Sequence, residues 1–184
     1  MNTITSQNEW DAYEDGVRML DMLDRSLIDN VLLIRCLCEI VEHVLPIYER
    51  NTDNRDPHKF LELLRQWIET PTDKTRWDII RYHMNYLKLE FVKNANIDNI
   101  VSLMIGVIND LVPSLYECNP YYSRVADFCL SVASYEIYKN LHAYKSRWSE
   151  IYDFEKCEML VSLAERKWQA DCVRKYFPII PQTF

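Results

Sequence analysis

The amino-acid sequence predicts an all-α fold, a single domain over residues 1–184 with about seven helices packed as antiparallel hairpins in a helical bundle. The first observation behind this prediction is the scarcity of glycine, since only Gly16 and Gly106 occur in 184 residues. Tight β-hairpins need residues at positive φ, and the chain contains no Asn-Gly pair and a single Asp-Gly pair, Asp15-Gly16. The second is the recurrence of apolar residues every three or four positions. Both favour helices over sheets.

Cap residues and prolines set several limits of the predicted helices. Asn30 is expected to cap the second helix, and Asp56, followed by Pro57, to cap the third. Pro46 removes a backbone donor near the end of the second helix, so a kink or an early stop is expected there. Residues 70–73 are expected to end the third helix and cap the fourth. The predicted segments are about 9–28, 31–49, a helix starting at 56–57, 74–93, 98–117, a helix starting at Asn119-Pro120, about 150–176, and a short C-terminal tail at 178–184.

The same periodicity predicts which side chains are buried. Trp67 and Trp77 fall on apolar stripes and are expected in the core, as are Met84 in the fourth helix and Leu160 in the last. The segment 98–117 is apolar on more than one side, which is typical of a helix surrounded by others. We therefore expect that helix to occupy the centre of the bundle.

Charge and cysteine usage narrow the class of protein. The net charge is −7 and the isoelectric point is about 5.1, which argues against nucleic-acid binding because that draws on Lys and Arg to neutralise phosphate. Residues 1–30 carry seven acids and two bases. The first ten residues are polar, and no apolar run is long enough for a membrane span, so we expect a soluble cytoplasmic protein. The cysteines within apolar helical patterns are expected to be buried, reduced thiols: Cys36, Cys38, Cys129, Cys157 and Cys172.

No catalytic motif is present, which predicts a protein without enzymatic activity or cofactor. The sequence has no Gly-x-Ser-x-Gly turn, phosphate-binding loop or dinucleotide fingerprint. Cys36, Glu39 and His43 stand three and four residues apart, the spacing of metal ligands on a helix, so a metal site there is the open alternative to ordinary core and surface roles. Cys36 and Cys38 are two residues apart and point to different faces of a helix.

Aromatic residues outside the apolar stripes have two possible roles, in a protein–protein interface or in packing between helices. Tyrosine and tryptophan dominate protein–protein hot spots, but they also pack beneath long connections between helices. Both interpretations apply to the aromatic residues in polar surroundings, which are Tyr121, Tyr122, Tyr144, Trp148 and Tyr152.

Two segments carry a family resemblance: residues 36–69, which contain Val44-Leu45-Pro46, Tyr48-Glu49, Arg55 and Arg65-Gln66-Trp67, and residues 165–169 near the C-terminus. They resemble the fifth family of immunity proteins of bacterial polymorphic-toxin systems. In that family a helix ends in Val-Leu-Pro-aromatic-Glu, a polar loop with an arginine follows, and a short helix closes on Arg-x-Trp. The C-terminal segment at 165–169, Glu-Arg-Lys-Trp-Gln, is similar to the family's closing Glu-Arg-x-Trp-Gln. The similarity covers about a third of the chain. The matching residues of the first segment, 36–69, are Val44, Leu45, Pro46, Tyr48, Glu49, Arg55, Arg65 and Trp67.

The resemblance implies a bacterial protein that neutralises a cognate toxin by forming a tight stoichiometric complex, without catalysis. The acidic balance favours a basic toxin, because opposite charge steers association. Partner contacts are expected on the first helix and in the 50–56 loop. The alternative is a helical adaptor or regulatory module without a toxin partner, and both a monomer and a homodimer remain open. The candidate partner-binding residues are Glu9, Asp11, Glu14, Asp15, Asp21, Asp53 and Arg55.

Four residues of the resembling segments have a physical role in keeping the fold. Pro46 sets a helix end. Arg55 pairs with a nearby carboxylate or with helix-terminal carbonyls. Trp67 and Trp168 fill the core. These residues support the family resemblance more than they locate a site.

Overall fold

The computed structural model describes residues 6–23, 28–93, 100–112, 122–135 and 148–179. Within these ranges the chain forms helices and no strand, which confirms the all-α prediction. The helices are α1 (Gln7–Ala12), α2 (Gly16–Met22), α3 (Asn30–Asn51), α4 (Asp56–Glu69), α5 (Asp73–Lys93), α6 (Ile100–Leu111), α7 (Tyr122–Ala133) and α8 (Trp148–Tyr176).

The continuous first helix predicted over 9–28 is wrong, because the chain breaks between α1 and α2. Tyr13 adopts extended backbone angles, with φ −77° and ψ 127°. Asp15 then caps α2, and its carboxylate accepts a hydrogen bond from the N–H of Arg18 at 3.2 Å. This bond satisfies a donor that a continuous helix would have paired with a backbone carbonyl. Two short helices therefore replace one long helix.

Three predicted helix limits differ from those observed. Asp29, not Asn30, caps α3, and its carboxylate accepts from two backbone N–H groups. Asp56 is the first residue of α4 instead of its cap, because the side chain of Asn54 accepts from the Asp56 N–H at 2.8 Å. Pro46 causes no early stop, since α3 continues to Asn51. The prediction at 70–73 is confirmed, because α4 ends before these residues and the Thr72 hydroxyl accepts from the N–H of Thr75.

Helices α3 and α7 occupy the middle of the described bundle. Helix α3 packs against α4, α6, α7 and α8, and α7 packs against α2, α3, α6 and α8. Helix α6 packs against α3, α5 and α7 and buries most of its apolar residues, but it does not hold the central position alone. The length of α3 lets one helix organise several others.

The buried face of α5 differs from the predicted stripe. Trp77 and Met84 are 58% and 50% exposed, whereas Ile79 and His83 are buried. Polar bonds accompany this orientation: His83 lies 2.9 Å from the Asn109 side chain on α6. Hydropathy spacing does not weigh such bonds, so it selected the wrong face. Leu160 is likewise exposed, whereas the predicted burial of Trp67 is confirmed.

The buried thiols agree with the prediction where they are described. Cys36, Cys38, Cys129 and Cys172 are buried and form no disulfide. The side chain of Cys157 lies outside the described residues. In the same part of the chain, no helix combines the length and the apolar character that crossing a membrane requires.

Candidate functional site

The C-terminal resembling segment forms a buried polar cluster on α8. Glu165 is 6% exposed, and its carboxylate lies 3.2 Å from Nε2 of His43 on α3. Gln169 donates through Nε2 both to Glu165 and to the backbone carbonyl of Ala126 on α7, each at 3.1 Å. The Trp168 ring stacks on His43 with centroids 3.7 Å apart. The cluster therefore joins α8 to α3 and α7.

Burial sets the protonation of this cluster. It raises the pKa of Glu165 to about 7, and the hydrogen bond from Gln169 lowers that pKa only in part. Burial also lowers the pKa of His43, which favours the neutral imidazole. Just below pH 7 the pair therefore consists of a protonated carboxyl beside a neutral imidazole. The residues act here as a structural connection, and no nucleophile lies among them.

Arg166 and Lys167 on α8 form ion pairs with the segment between α1 and α2. Arg166 binds both carboxylate oxygens of Asp15 at 3.0 Å, and Lys167 lies 2.6 Å from the Glu14 carboxylate. These contacts place two of the predicted partner-binding acids in ion pairs within the chain. Asp15 is only 24% exposed in its side chain. Its charge is therefore largely neutralised before any partner approaches.

Other predicted acids remain on the surface of α1 and α2. Glu9 forms a capping box with Ser6, and Asp11 accepts a hydrogen bond from the Gln7 side chain at 2.8 Å. Asp21 is exposed near the end of α2. Of the five acids predicted there, Asp11 and Asp21 keep the most accessible charge.

The 50–56 loop is held by the ion pair expected from its arginine. Arg55 lies 3.0 Å from Glu49, which also faces His58 at 3.6 Å. Asp53 is exposed. Among the described residues, no hydrogen bond or ion pair joins Asp53 or Arg55 to the predicted acids of α1 and α2. The two parts of the predicted partner-binding surface are therefore not connected by such bonds.

A cleft of about 290 Å³ lies between α3, α4 and the end of α8. Its floor includes Cys38 and Ile68, both of which are buried. At one end Arg65 lies 2.6 Å from Glu42, and this neighbouring carboxylate raises the pKa of Arg65. Arg65 belongs to the Arg-Gln-Trp sequence at 65–67, within the segment 36–69. The cleft therefore adjoins the resembling segment.

One wall of the cleft is formed by Glu39 and Tyr176, and two hydrogen-bond donors hold Glu39 there. Glu39 accepts from Lys175 Nζ at 2.6 Å and from the Tyr176 hydroxyl at 2.7 Å. Burial opposes ionisation of Glu39, but these two donors lower its pKa. Burial and the neighbouring carboxylate raise the pKa of Tyr176, which stays a neutral hydrogen-bond donor. The wall is thus fixed in place by the last residues of α8.

The spacing of Cys36, Glu39 and His43 does not assemble a metal site in the described part of the chain. The Cys172 thiol lies 3.8 Å from the Cys36 carbonyl, while Glu39 faces Lys175 and His43 faces Glu165. No group of three His, Cys, Asp or Glu residues there is placed to hold a metal ion. The different faces predicted for Cys36 and Cys38 are observed, because only Cys38 lines the cleft.

Sequence reasoning missed the cleft as a site. A signal was present on α3, where Arg35, Glu39 and Glu42 recur at helical spacing, but its meaning depends on which helix packs alongside. The side chains of the off-stripe aromatic residues lie outside the described residues, namely Tyr121, Tyr122, Tyr144, Trp148 and Tyr152.

Comparison of the chain with models of protein families, with curated proteins and with solved structures finds no match in any of the three.

Proposed function

We propose that the protein is an immunity protein that binds a cognate bacterial toxin in the cytoplasm and neutralises it through a stoichiometric complex. The observation that carries this proposal is the resemblance of residues 36–69 and 165–169 to the fifth family of polymorphic-toxin immunity proteins. The packing of both segments supports it. They meet on α3, where Arg65 pairs with Glu42 and Trp168 stacks on His43.

The proposed mechanism is occlusion of the toxin, with no reaction carried out by this chain. An acidic surface attracts a basic partner and raises the association rate at low ionic strength. The exposed acids Asp11 and Asp21 are available for this role. Glu14 and Asp15 serve it less, because Lys167 and Arg166 already neutralise them.

Charge reversal tests the electrostatic part of the proposal. The protein is mixed with the product of the gene adjacent to its own, and a one-to-one complex is sought by size-exclusion chromatography with light scattering. In the variant Asp11→Lys/Asp21→Lys, we expect the association rate with a basic toxin to fall about tenfold or more at low salt. The matched control, Asp78→Lys/Asp127→Lys, changes the net charge equally on α5 and α7. An equal loss in both variants would indicate only a general effect of net charge.

The adaptor hypothesis gives a different result in this experiment. An adaptor without a toxin partner forms no complex with the adjacent product, whatever the charge on α1 and α2. The resemblance would then reflect a shared fold alone.

A further inference from the structure

We infer that the toxin docks in the cleft between α3, α4 and the end of α8, through an apolar side chain flanked by one acidic and one basic residue. This inference rests on the proposed function and names the contact surface and its chemistry. It also moves the principal contact away from the N-terminal acids.

The cleft has the dimensions and floor of a site for one anchoring side chain. Its volume of about 290 Å³ lies at the lower limit of small-molecule pockets and is large enough to hold one protein side chain. Cys38 and Ile68 form an apolar floor on opposing helices. Interface hot spots are apolar anchors of this kind, surrounded by polar groups that exclude water.

The charged groups around the floor divide into those that are paired within the described part of the chain and those that are not. Glu42 is paired with Arg65, and Glu39 is bonded to the end of α8. By contrast, Arg35 and Glu69 line the cleft, are exposed, and have no hydrogen bond or ion pair to any described residue. The first two carboxylates stabilise the bundle, whereas these two opposite charges remain available to a partner.

The helix geometry places both available charges at one end of the cleft. The Glu42–Arg65 contact aligns α3 with α4. Arg35 lies seven residues back along α3, about 10 Å from that contact, and Glu69 lies four residues on along α4, about 6 Å from it. A partner segment therefore meets a cation on one rim and an anion on the other, beside the apolar floor.

This arrangement specifies the partner by charge complementarity. A carboxylate of the toxin matches the planar guanidinium of Arg35, and a basic side chain matches Glu69. Reversing either pair places like charges together, which opposes binding strongly. The surface also adjoins α1, because the Trp10 indole donates to the carbonyl of Phe177, the residue after Tyr176. Acids on α1 therefore lie near enough to steer the same partner.

A charge exchange tests the inference without altering net charge. The variant Arg35→Glu/Glu69→Arg keeps the total at −7 but reverses the local pattern. The matched control, Asp78→Arg/Arg81→Glu, exchanges an existing ion pair on α5, outside the cleft. The dissociation constant of each full-length protein with the adjacent gene's product is measured by calorimetry, and thermal unfolding verifies that both variants are folded.

The outcomes separate the inference from the function. We expect the cleft exchange to weaken binding about tenfold or more, and the control to change it less than about twofold. If wild type binds and the cleft exchange binds equally well, the docking surface is wrong while the proposed function stands. If the wild-type protein itself does not bind that product, both are overturned.

Discussion

Replacing Glu165 by glutamine isolates the effect of holding an ionisable carboxyl group inside the bundle. Glutamine has nearly the same shape as the protonated acid. Its carbonyl accepts the hydrogen bond that Gln169 gives to Glu165, and its amide donates to His43 across the observed 3.2 Å. The substitution therefore preserves the neutral cluster and removes only the possibility of ionisation.

The sign of the effect follows from the raised pKa of Glu165. Its folded pKa is about 7, against 4.5 as its ordinary value, so the folded state holds the proton more tightly than the unfolded state. The stability from this group is fully present below pH 4.5 and is lost as the pH rises through 7. Each tenfold difference in proton affinity corresponds to about 1.4 kcal/mol, so the shift from 4.5 to about 7 gives a loss of about 3–4 kcal/mol in the free energy of unfolding.

Two neighbouring groups do not change this sign. Burial raises the pKa of the Cys129 thiol well above its ordinary value, so it stays neutral across the range. Burial lowers the pKa of His43, whose protonation in acid destabilises the wild-type protein and the variant alike. The difference between the two proteins therefore reports the carboxyl group of Glu165.

Urea denaturation between pH 4.5 and 8.5 measures this difference. We expect Glu165→Gln to match the wild type near pH 4.5 and to be about 3–4 kcal/mol more stable at pH 8.5. Glu69→Gln, at an exposed carboxyl group on α4, is the control and should change stability by less than about 0.5 kcal/mol. A Glu165→Gln variant that is less stable than wild type at pH 8.5 would refute the reasoning.

Five further substitutions test the packing, each by urea denaturation at pH 7. Gly16→Ala should destabilise by about 2–4 kcal/mol, because a Cβ there would lie 2.5 Å from the backbone of Gln169. Gly106→Ala should destabilise less, because the atoms nearest to a Cβ there belong to the side chain of Phe128, at 2.8 Å, and not to the backbone. Trp67→Ala should destabilise by about 3–5 kcal/mol and the exposed Trp77→Ala by less than about 1 kcal/mol, so equal losses would contradict the observed face of α5. Pro46→Ala should stabilise by about 1–3 kcal/mol, because proline lies inside an unbroken helix, and a loss of stability would contradict this interpretation.

The sequence determined the helical content well because scarce glycine and regular apolar spacing both act locally. It failed where a polar side chain competed with that spacing. Asp15 restarts the chain at α2 with a side-chain bond, which apolar periodicity alone does not detect. On α5, the buried face includes His83, which lies beside Asn109, whereas Trp77 on the face predicted to be buried is exposed.

The candidate sites were less predictable because they depend on which helices are neighbours. The expected ion pair of Arg55 needed only a nearby carboxylate, and Glu49 supplies it. The neutralisation of Asp15 by Arg166 joins residues 151 positions apart, and no local pattern indicates it. The cleft likewise requires the alignment of α3 with α4. Arg35 and Glu69, the charges that remain available there, can be recognised as neighbours only when that alignment is known.

Growth of bacteria that express the adjacent gene's product tests the central claim most directly. The product is induced alone, with this protein, and with this protein carrying the Arg35→Glu/Glu69→Arg exchange. The proposed function predicts that the product alone stops growth and that the wild-type protein restores it, with a one-to-one complex recovered from the cells. A product that is harmless alone, or that remains toxic in the presence of the folded wild-type protein, would contradict the proposal that this protein is its immunity protein.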